Sequence, residues 1–389
     1  MSEGRDKPIP NPACPGVDKL GLIMETIPTC KRLVCDVLVV GGGIAGCFAA
    51  IKARAKGTKV LLIDKGYVGK SGQSPYANSY MVFNPEWGHD LGAWMSLINR
   101  TSEYVNNRAW TELTITKSYE SYQDLLRWGV KFKLAPDGKV LRQTGPTGVT
   151  EQICFDDMKH GDYMQTLRRQ AIKAGVKILD RVMLIELFKS DGRVAGGMAF
   201  SVDEPVLYVL IAGATVLCVG SCGYKPVAYP PIVQLTGDGE AMAYRAGASI
   251  HGKEFVDTHI SRKDIPVGIP NMLGRKQPLP DSLRGLDGPQ RGRMLRNAEG
   301  SPIPPRPNGA SQYTFTYLET EFEAHAGRAP IFTDAPDGEQ EMIGGACLGM
   351  SLRKADGLWP EDMQGRSSVP GLFAAGDALG TMQNGSAYA

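Results

Sequence analysis

The sequence predicts an α/β protein built on a parallel sheet, and three stretches carry that expectation. Between Cys35 and Asp64 an apolar run, a glycine turn, an alanine-rich segment and a second apolar run follow one another, the order of a βαβ unit. The apolar run Ala214 to Val219 ends in Gly220-Ser221-Cys222-Gly223. Small residues at the carboxyl end of a buried strand admit a ligand, and open α/β sheets bind their ligands there. Near the C-terminus, Val369 to Ala375 repeats the pattern and closes with Gly376-Asp377.

Residues 1–33 are polar and proline-bearing and read as an extension, with no basic segment and apolar core of the kind a secretory signal needs. Val37-Leu38-Val39-Val40 is short, β-branched and ended by glycine, so it reads as a buried parallel strand. Gly41-Gly42-Gly43-Ile44-Ala45-Gly46 then fits G-x-G-x-x-G, and a helix continues to Ala55. In such a unit Gly41 allows the tight turn, Gly43 lets the backbone approach a pyrophosphate, and Gly46 lets helix pack on strand. The phosphates of a dinucleotide would sit at the helix N-terminus. Val60 to Ile63 forms the next strand, closed by Asp64, 23 residues after Gly41, where an acidic side chain accepts hydrogen bonds from ribose hydroxyls.

Lys65 to Ser74 is a small-residue loop that serves as a plain connection or brings backbone N–H groups and a lysine to an anionic cofactor. Residues 90–128 have helical patterning and carry Trp94, Tyr104, Trp110, Tyr119, Tyr122 and Trp128, which are expected to pack in a core rather than cage a substrate. Asp162 to Ala174 reads as an amphipathic helix and Val176 to Leu179 as a strand. Val182 to Lys189 turns at Asp191-Gly192 into Val194 to Phe200 as a hairpin. The longest apolar run, Val206 to Val219, is too short to span a bilayer and is interrupted by Gly213, so it is expected to form two strands. Thr236-Gly237-Asp238-Gly239 precedes a helix from Glu240 to Ala246. Residues 261–310 hold prolines and glycines every few positions and read as extended covering loops.

The bulk properties narrow the function. At 389 residues, 42% hydrophobic and 22% charged, the chain is an ordinary globular protein of two or three domains. A net charge of +2 gives no field for nucleic acid or an anionic membrane. The eight cysteines show no C-x-x-C pair, so buried free thiols in a reducing, cytoplasmic compartment are expected, with no metal site and no iron–sulfur cluster in this chain.

Three separated motifs, the glycine-rich unit with Asp64, Thr236-Gly237-Asp238-Gly239 followed by Arg245-Ala246-Gly247-Ala248, and Gly371-Leu372-Phe373-Ala374-Ala375-Gly376-Asp377, together resemble one flavoprotein family. It is that of succinate dehydrogenase, fumarate reductase, L-aspartate oxidase and the adenylylsulfate reductase flavin subunit, and the likeness covers residues 34–260 and 315–389. The resemblance implies a Rossmann-like FAD-binding domain of the glutathione reductase type, interrupted by an α+β capping domain. The FAD domain would occupy 34–240, the capping or substrate domain 241–342, and a return segment, cut off at Ala389, 343–389. By the same resemblance Gly41, Gly43, Ala45 and Gly46 hold the pyrophosphate and Asp64 the adenosine ribose. Lys65, Ser71 and Gly72 hold the middle of the cofactor, Val182 meets the adenine, Gly220 and Asp238 line the flavin side, and Gly376 and Asp377 meet the ribityl chain or phosphate. The family often has glutamate where Asp64 stands.

Departures from the family refine the expectation. Members that attach FAD covalently have a histidine after the serine that Ser71 resembles; Gly72 stands there, which implies non-covalent FAD. Dicarboxylate enzymes have a histidine four residues before the pair that Gly344-Gly345 resembles; Gln340 stands there. Their last substrate arginine belongs to a segment beyond Ala389. Both departures argue against succinate or fumarate. Lys253 to His259 resembles the stretch ending in a substrate-contacting histidine, making His259 a catalytic candidate. Asp281-Ser282-Leu283-Arg284-Gly285 resembles the acid-x-x-Arg-Gly motif whose arginine gives a proton to the substrate, so Arg284 is the second candidate, with Arg291 competing. The implied function is a two-electron, FAD-dependent oxidoreductase of a small organic or sulfur substrate, partnered by a separate iron–sulfur electron-transfer subunit. The alternative is a non-catalytic or truncated flavin-binding electron-transfer subunit.

Overall fold

The computed structural model describes residues 29–220, apart from 73, 78, 102, 103, 105, 145–147 and 157–161, and then 236–252, 295–303, 322–323, 326–328, 331–334, 340–344 and 357–380. The leading βαβ unit consists of β1 (Thr29–Val40), α1 (Ile44–Ala55) and β2 (Val60–Asp64). After it come β3 (Ser79–Met81), α2 (Leu91–Thr101), α3 (Arg108–Arg127), β4 (Arg142–Thr144) and β5 (Glu151–Cys154). The chain continues through α4 (Asp162–Lys173), β6 (Lys177–Asp180), β7 (Val182–Ser190), β8 (Arg193–Ser201), β9 (Val206–Leu217) and α5 (Asp238–Ala246). The last described strands are β10 (Ile250–His251), β11 (Leu295–Arg296), β12 (Pro302–Ile303), β13 (Ile331–Asp334), β14 (Gln340–Gly344), β15 (Gly357–Leu358) and β16 (Leu372–Ala374).

One seven-stranded sheet carries the architecture, in the order β6-β2-β1-β9-β8-β7, with β16 also on β9. β6, β2, β1, β9 and β16 run parallel, whereas β7, β8 and β9 form an antiparallel meander. β9 is therefore one strand where two were expected. β1 pairs with it from Thr29↔Val206 to Val40↔Leu217, and that ladder carries the chain through Gly213. The opposite edge of β9 changes partner there: residues 207–211 pair with β8 and 215–217 with β16. The free Gly213 carbonyl accepts a hydrogen bond from the Arg193 guanidinium. The same ladder corrects the reading of 1–33 as an extension, because Thr29 to Leu33 already belong to β1.

Side chains alternate between the two faces of the sheet, as strand geometry requires. Leu38, Leu61 and Ile63 face one core with Met242, Ala243 and Ala246 of α5. Val39 and Leu62 face another with Cys47 and Ala50 of α1 and Leu167 and Ala171 of α4. Since α5 shares a core with β7 and β8 and β10 pairs with β15, the boundary at 240/241 falls inside a helix of the sheet domain. The boundary at 342/343 falls inside β14. Of the aromatic residues, Trp94 is buried at an edge-on 5.3 Å from Phe83, and Trp128 packs 4.7 Å from Phe48 of α1. Tyr104 stays exposed. Among the described residues no helix is long and apolar enough to cross a membrane.

Candidate dinucleotide site

The carboxyl ends of β1, β2 and β9 and the N-terminal turns of α1 and α5 enclose a cleft. Glycine makes this possible at two positions. Gly41 has φ +101°, and a Cβ there would lie 2.2 Å from the Cys218 carbonyl oxygen, so the turn after β1 presses directly on the end of β9. A Cβ on Gly46 would lie 1.8 Å from the Gly41 carbonyl oxygen, so the first turn of α1 is seated under that loop. Gly46 thus packs helix on turn and does not line the cleft. Gly43 is the N-cap of α1, has no side chain with which to cap it, and faces the cleft. The Ile44 N–H donates to Ser74 Oγ at 3.0 Å, which shows that an oxygen acceptor fits at this helix N-terminus.

Asp64 closes β2 in a buried position. Its Oδ2 accepts from the Gly42 N–H at 2.7 Å and its Oδ1 from the Gly66 N–H at 2.7 Å. Burial pushes this carboxyl above the usual range despite those two amides. The loop beyond it is fixed from outside: Arg168 of α4 forks onto Asp180 at 2.9 and 2.6 Å, and Asp180 also accepts from the Val68 N–H at 2.8 Å. Burial raises the Asp180 carboxyl, yet Arg168 and Val68 outweigh it and hold the group below the usual range. At the corner between β6 and β7, Arg181 has φ +58° and its N–H donates to the Gly66 carbonyl at 2.8 Å, which brings Val182 to the cleft wall.

Lys65 Nζ crosses to the far side, 2.6 Å from Asp238 Oδ2 and 2.6 Å from Thr236 Oγ1. Burial raises the Asp238 carboxyl, but the bonds from Lys65 and Thr236 outweigh it and hold the group low. Cys218 also lines the cleft, with its thiol pushed by burial up to about 12, so it is a protonated, inert wall.

Of the expected cofactor residues, Gly41, Gly43, Ala45, Asp64, Lys65, Ser71, Gly72, Val182, Gly220, Asp238 and Asp377 line this one cleft. Gly46 and Gly376 do not; Gly376 opens the short turn that carries Asp377. His259, Arg284 and Arg291 lie outside the described residues. Sequence reasoning missed Ser74, whose approach to α1 from 30 residues away leaves no local signal. It also missed Met183 and Cys218, whose apolar character matches any strand.

From Asp36 to Ile303 the chain matches the family described as FAD binding domain. The chain belongs to that family. It is 27% identical over 275 residues to a fumarate reductase (CoM/CoB) flavoprotein relative from Methanothermobacter marburgensis, which spans 68% of this chain and 48% of that protein. It is 30% identical over 258 residues to an uncharacterised FAD-dependent oxidoreductase of Methanocaldococcus jannaschii, 65% of this chain and 45% of that protein. The chain thus spans less than half the length of these curated relatives. Among solved structures, adenylylsulfate reductase of Archaeoglobus fulgidus superposes with TM-score 0.68 at 20% identity, covering 92% of this chain and 68% of that one. Escherichia coli quinol fumarate reductase gives 0.68 at 18% identity with 92% and 68% covered. At such identities these likenesses establish a shared fold.

The residues present fit FAD. The glycine cradle admits a backbone-bound pyrophosphate, the N-terminus of α1 offers amides to it, and the Asp64 oxygens keep lone pairs for ribose hydroxyls after serving Gly42 and Gly66.

Proposed function

We propose that this chain binds FAD non-covalently and acts as an oxidoreductase of the fumarate reductase and succinate dehydrogenase flavoprotein type. The observation that carries the reading is the convergence of residues from four separated stretches, Gly43, Asp64, Asp238 and Asp377, on one cleft in a chain of the FAD binding domain family. When bound, FAD supplies the two-electron chemistry. The protein's part is to hold the pyrophosphate at Gly41 to Ala45, orient the ribose on Asp64, and keep the Asp238 and Asp377 carboxylates beside the rest of the cofactor. Gly72 supports non-covalent attachment: it lines the cleft, has φ +71°, and carries no side chain that could form a bond to the flavin.

His259 and Arg284 are the proposed proton-handling pair, with Arg291 the competitor for Arg284. The substrate is proposed to be a small organic or sulfur compound other than succinate or fumarate, since Gln340 stands where a dicarboxylate-binding histidine is expected. The two-domain layout, with a capping segment inserted between α5 and β14, belongs to the same proposal. A separate iron–sulfur subunit is the proposed electron partner, supported by the relatives' own description as subunits.

The deciding experiment is the visible absorption spectrum of the purified chain before and after acid precipitation. Flavin bands that pass to the supernatant are expected. A colourless chain that cannot be reconstituted with FAD would overturn the reading, and bands that stay with the precipitate would overturn non-covalent attachment. Bleaching of the bound flavin by a substrate separates a catalyst from a passive electron carrier.

A further inference from the structure

The charge balance of the cleft is unusual for a site that takes an anionic dinucleotide. Among the described residues that line it, four carboxyl side chains, Asp64, Asp238, Glu240 and Asp377, stand against one basic side chain, Lys65. A pyrophosphate adds further negative charge. The expected use of Lys65 is as a phosphate ligand, yet its ammonium is directed across the cleft from the end of β2 to the first turn of α5. There it lies 2.6 Å from Asp238 Oδ2 and 2.6 Å from Thr236 Oγ1, and the Thr236 hydroxyl donates to the same carboxylate oxygen.

We propose that Lys65 is the counter-ion of Asp238, a positioning residue that keeps this carboxylate ionised, fixed in place and compatible with an anionic ligand, rather than a ligand of the phosphates. The proposal rests on the FAD reading. Lys65 and Asp238 are only partly exposed, 30% and 34% at the side chain, so the pair is shielded from full solvent screening and its two charges depend on each other. The N-terminus of α5 also favours the Asp238 charge, but burial and the surrounding carboxylates oppose it: Asp64 from β2, Glu240 from α5 itself and Asp377 from the turn after β16. Arg168 of α4 also acts on Asp64, but it is already committed to Asp180.

The arrangement has a signature that simple phosphate binding lacks. With Lys65 in place, Asp238 stays ionised throughout the neutral range and its charge is matched. Without Lys65, burial raises the Asp238 carboxyl, so the group is neutral at low pH and an unmatched anion at high pH. FAD affinity of a Lys65→Met variant must therefore fall as pH rises, whereas that of the wild-type chain changes little. Removing the carboxylate as well must relieve the defect.

The test is titration of the apoprotein with FAD, followed by flavin fluorescence, for the wild-type chain, K65M, K65R, D238N and K65M/D238N from about pH 6 to pH 8, with circular dichroism to certify each fold. K65M is expected to bind about tenfold or more weakly at the upper end of this range and to recover toward the lower end. K65R and K65M/D238N are expected to return to within about threefold of the wild-type chain and of D238N, respectively. A pH-independent loss in K65M that D238N does not relieve would overturn the proposal and make Lys65 a direct phosphate ligand. Failure of the wild-type chain itself to bind FAD overturns the FAD reading, and the proposal falls with it.

Discussion

Asp64 shows how one methylene group changes the duty of the acid that closes a βαβ unit. A longer glutamate would reach past the turn, whereas the aspartate is drawn onto the Gly42 and Gly66 amides at 2.7 Å each, so it braces the glycine loop as well as facing the cleft. Asp64→Asn replaces one acceptor with an NH2 group that meets an amide donor. The expected loss is about 1–3 kcal/mol, read from urea unfolding, together with weaker FAD binding. The pH dependence is set by opposing carboxyls. Burial raises Asp64, so its contribution to stability is full below its unfolded value and is lost as pH rises through the folded one. Asp180 and Asp238 are held low, so theirs is present above the unfolded value and lost as pH falls through the folded one. Thermal melts should therefore show a stability maximum in mild acid, and Asp64→Asn should remove the decline on its alkaline side. The motif spacing made the position of Asp64 legible in the sequence. Its partners were not, because the two bonded amides are fixed by the path of the loop and not by residue type.

Element periodicities were equally legible, and their joints were not. The helix at 162–173, the strand after it and the hairpin of β7 and β8 all follow from apolar spacing and from Asp191-Gly192. The clamp that joins α4 to the end of β6 leaves no such pattern, since Arg168 looks like any other basic residue on an amphipathic helix. Its fork onto Asp180, with Asp180 and Arg168 also bonding the Val68 N–H and carbonyl, holds the loop that carries Lys65, Ser71 and Gly72. Arg168→Met removes two charged hydrogen bonds and leaves a partly buried carboxylate behind. A loss of about 2–3 kcal/mol is expected, measured by urea unfolding, with a parallel fall in FAD affinity. Lys117→Met is the matched control. Lys117 meets Glu120 at 3.0 Å on the exposed face of α3, where one surface pair contributes little, and neither stability nor FAD binding should move. Gly213 is the converse case, a residue that suggests a break in β9 and marks only the exchange of β8 for β16 along its edge.

At the scale of the whole molecule, the sheet is completed by β16, which arrives more than 150 residues after the β9 strand it joins. The cofactor half of the protein was readable because glycines and acids there obey spacing rules, whereas His259 and Arg284 rest on resemblance to short motifs with no periodic support. The glycine in Gly371-Leu372-Phe373 explains how the return segment is fastened. Gly371 has φ +80°, and a Cβ on it would lie 2.4 Å from the Val194 carbonyl oxygen. On one side the Val194 N–H donates to the Pro370 carbonyl at 2.8 Å, and on the other the Thr215 N–H donates to the Gly371 carbonyl at 2.9 Å. The backbone at 370–371 is thus held between β8 and β9 and cannot retreat from an added methyl group. Gly371→Ala combines a left-handed backbone cost of about 1–2 kcal/mol with an overpacking cost of about 1–3 kcal/mol. Gly57→Ala meets the first cost alone, because φ is +84° there and no atom lies within 4 Å of the new Cβ. Limited proteolysis should therefore cut the 357–380 segment in Gly371→Ala and spare it in Gly57→Ala. Because Asp377 follows β16 directly into the cleft, the same variant should lose FAD affinity as the segment detaches. Retention of wild-type affinity by a chain already cut there would show that Asp377 takes no part in holding the cofactor.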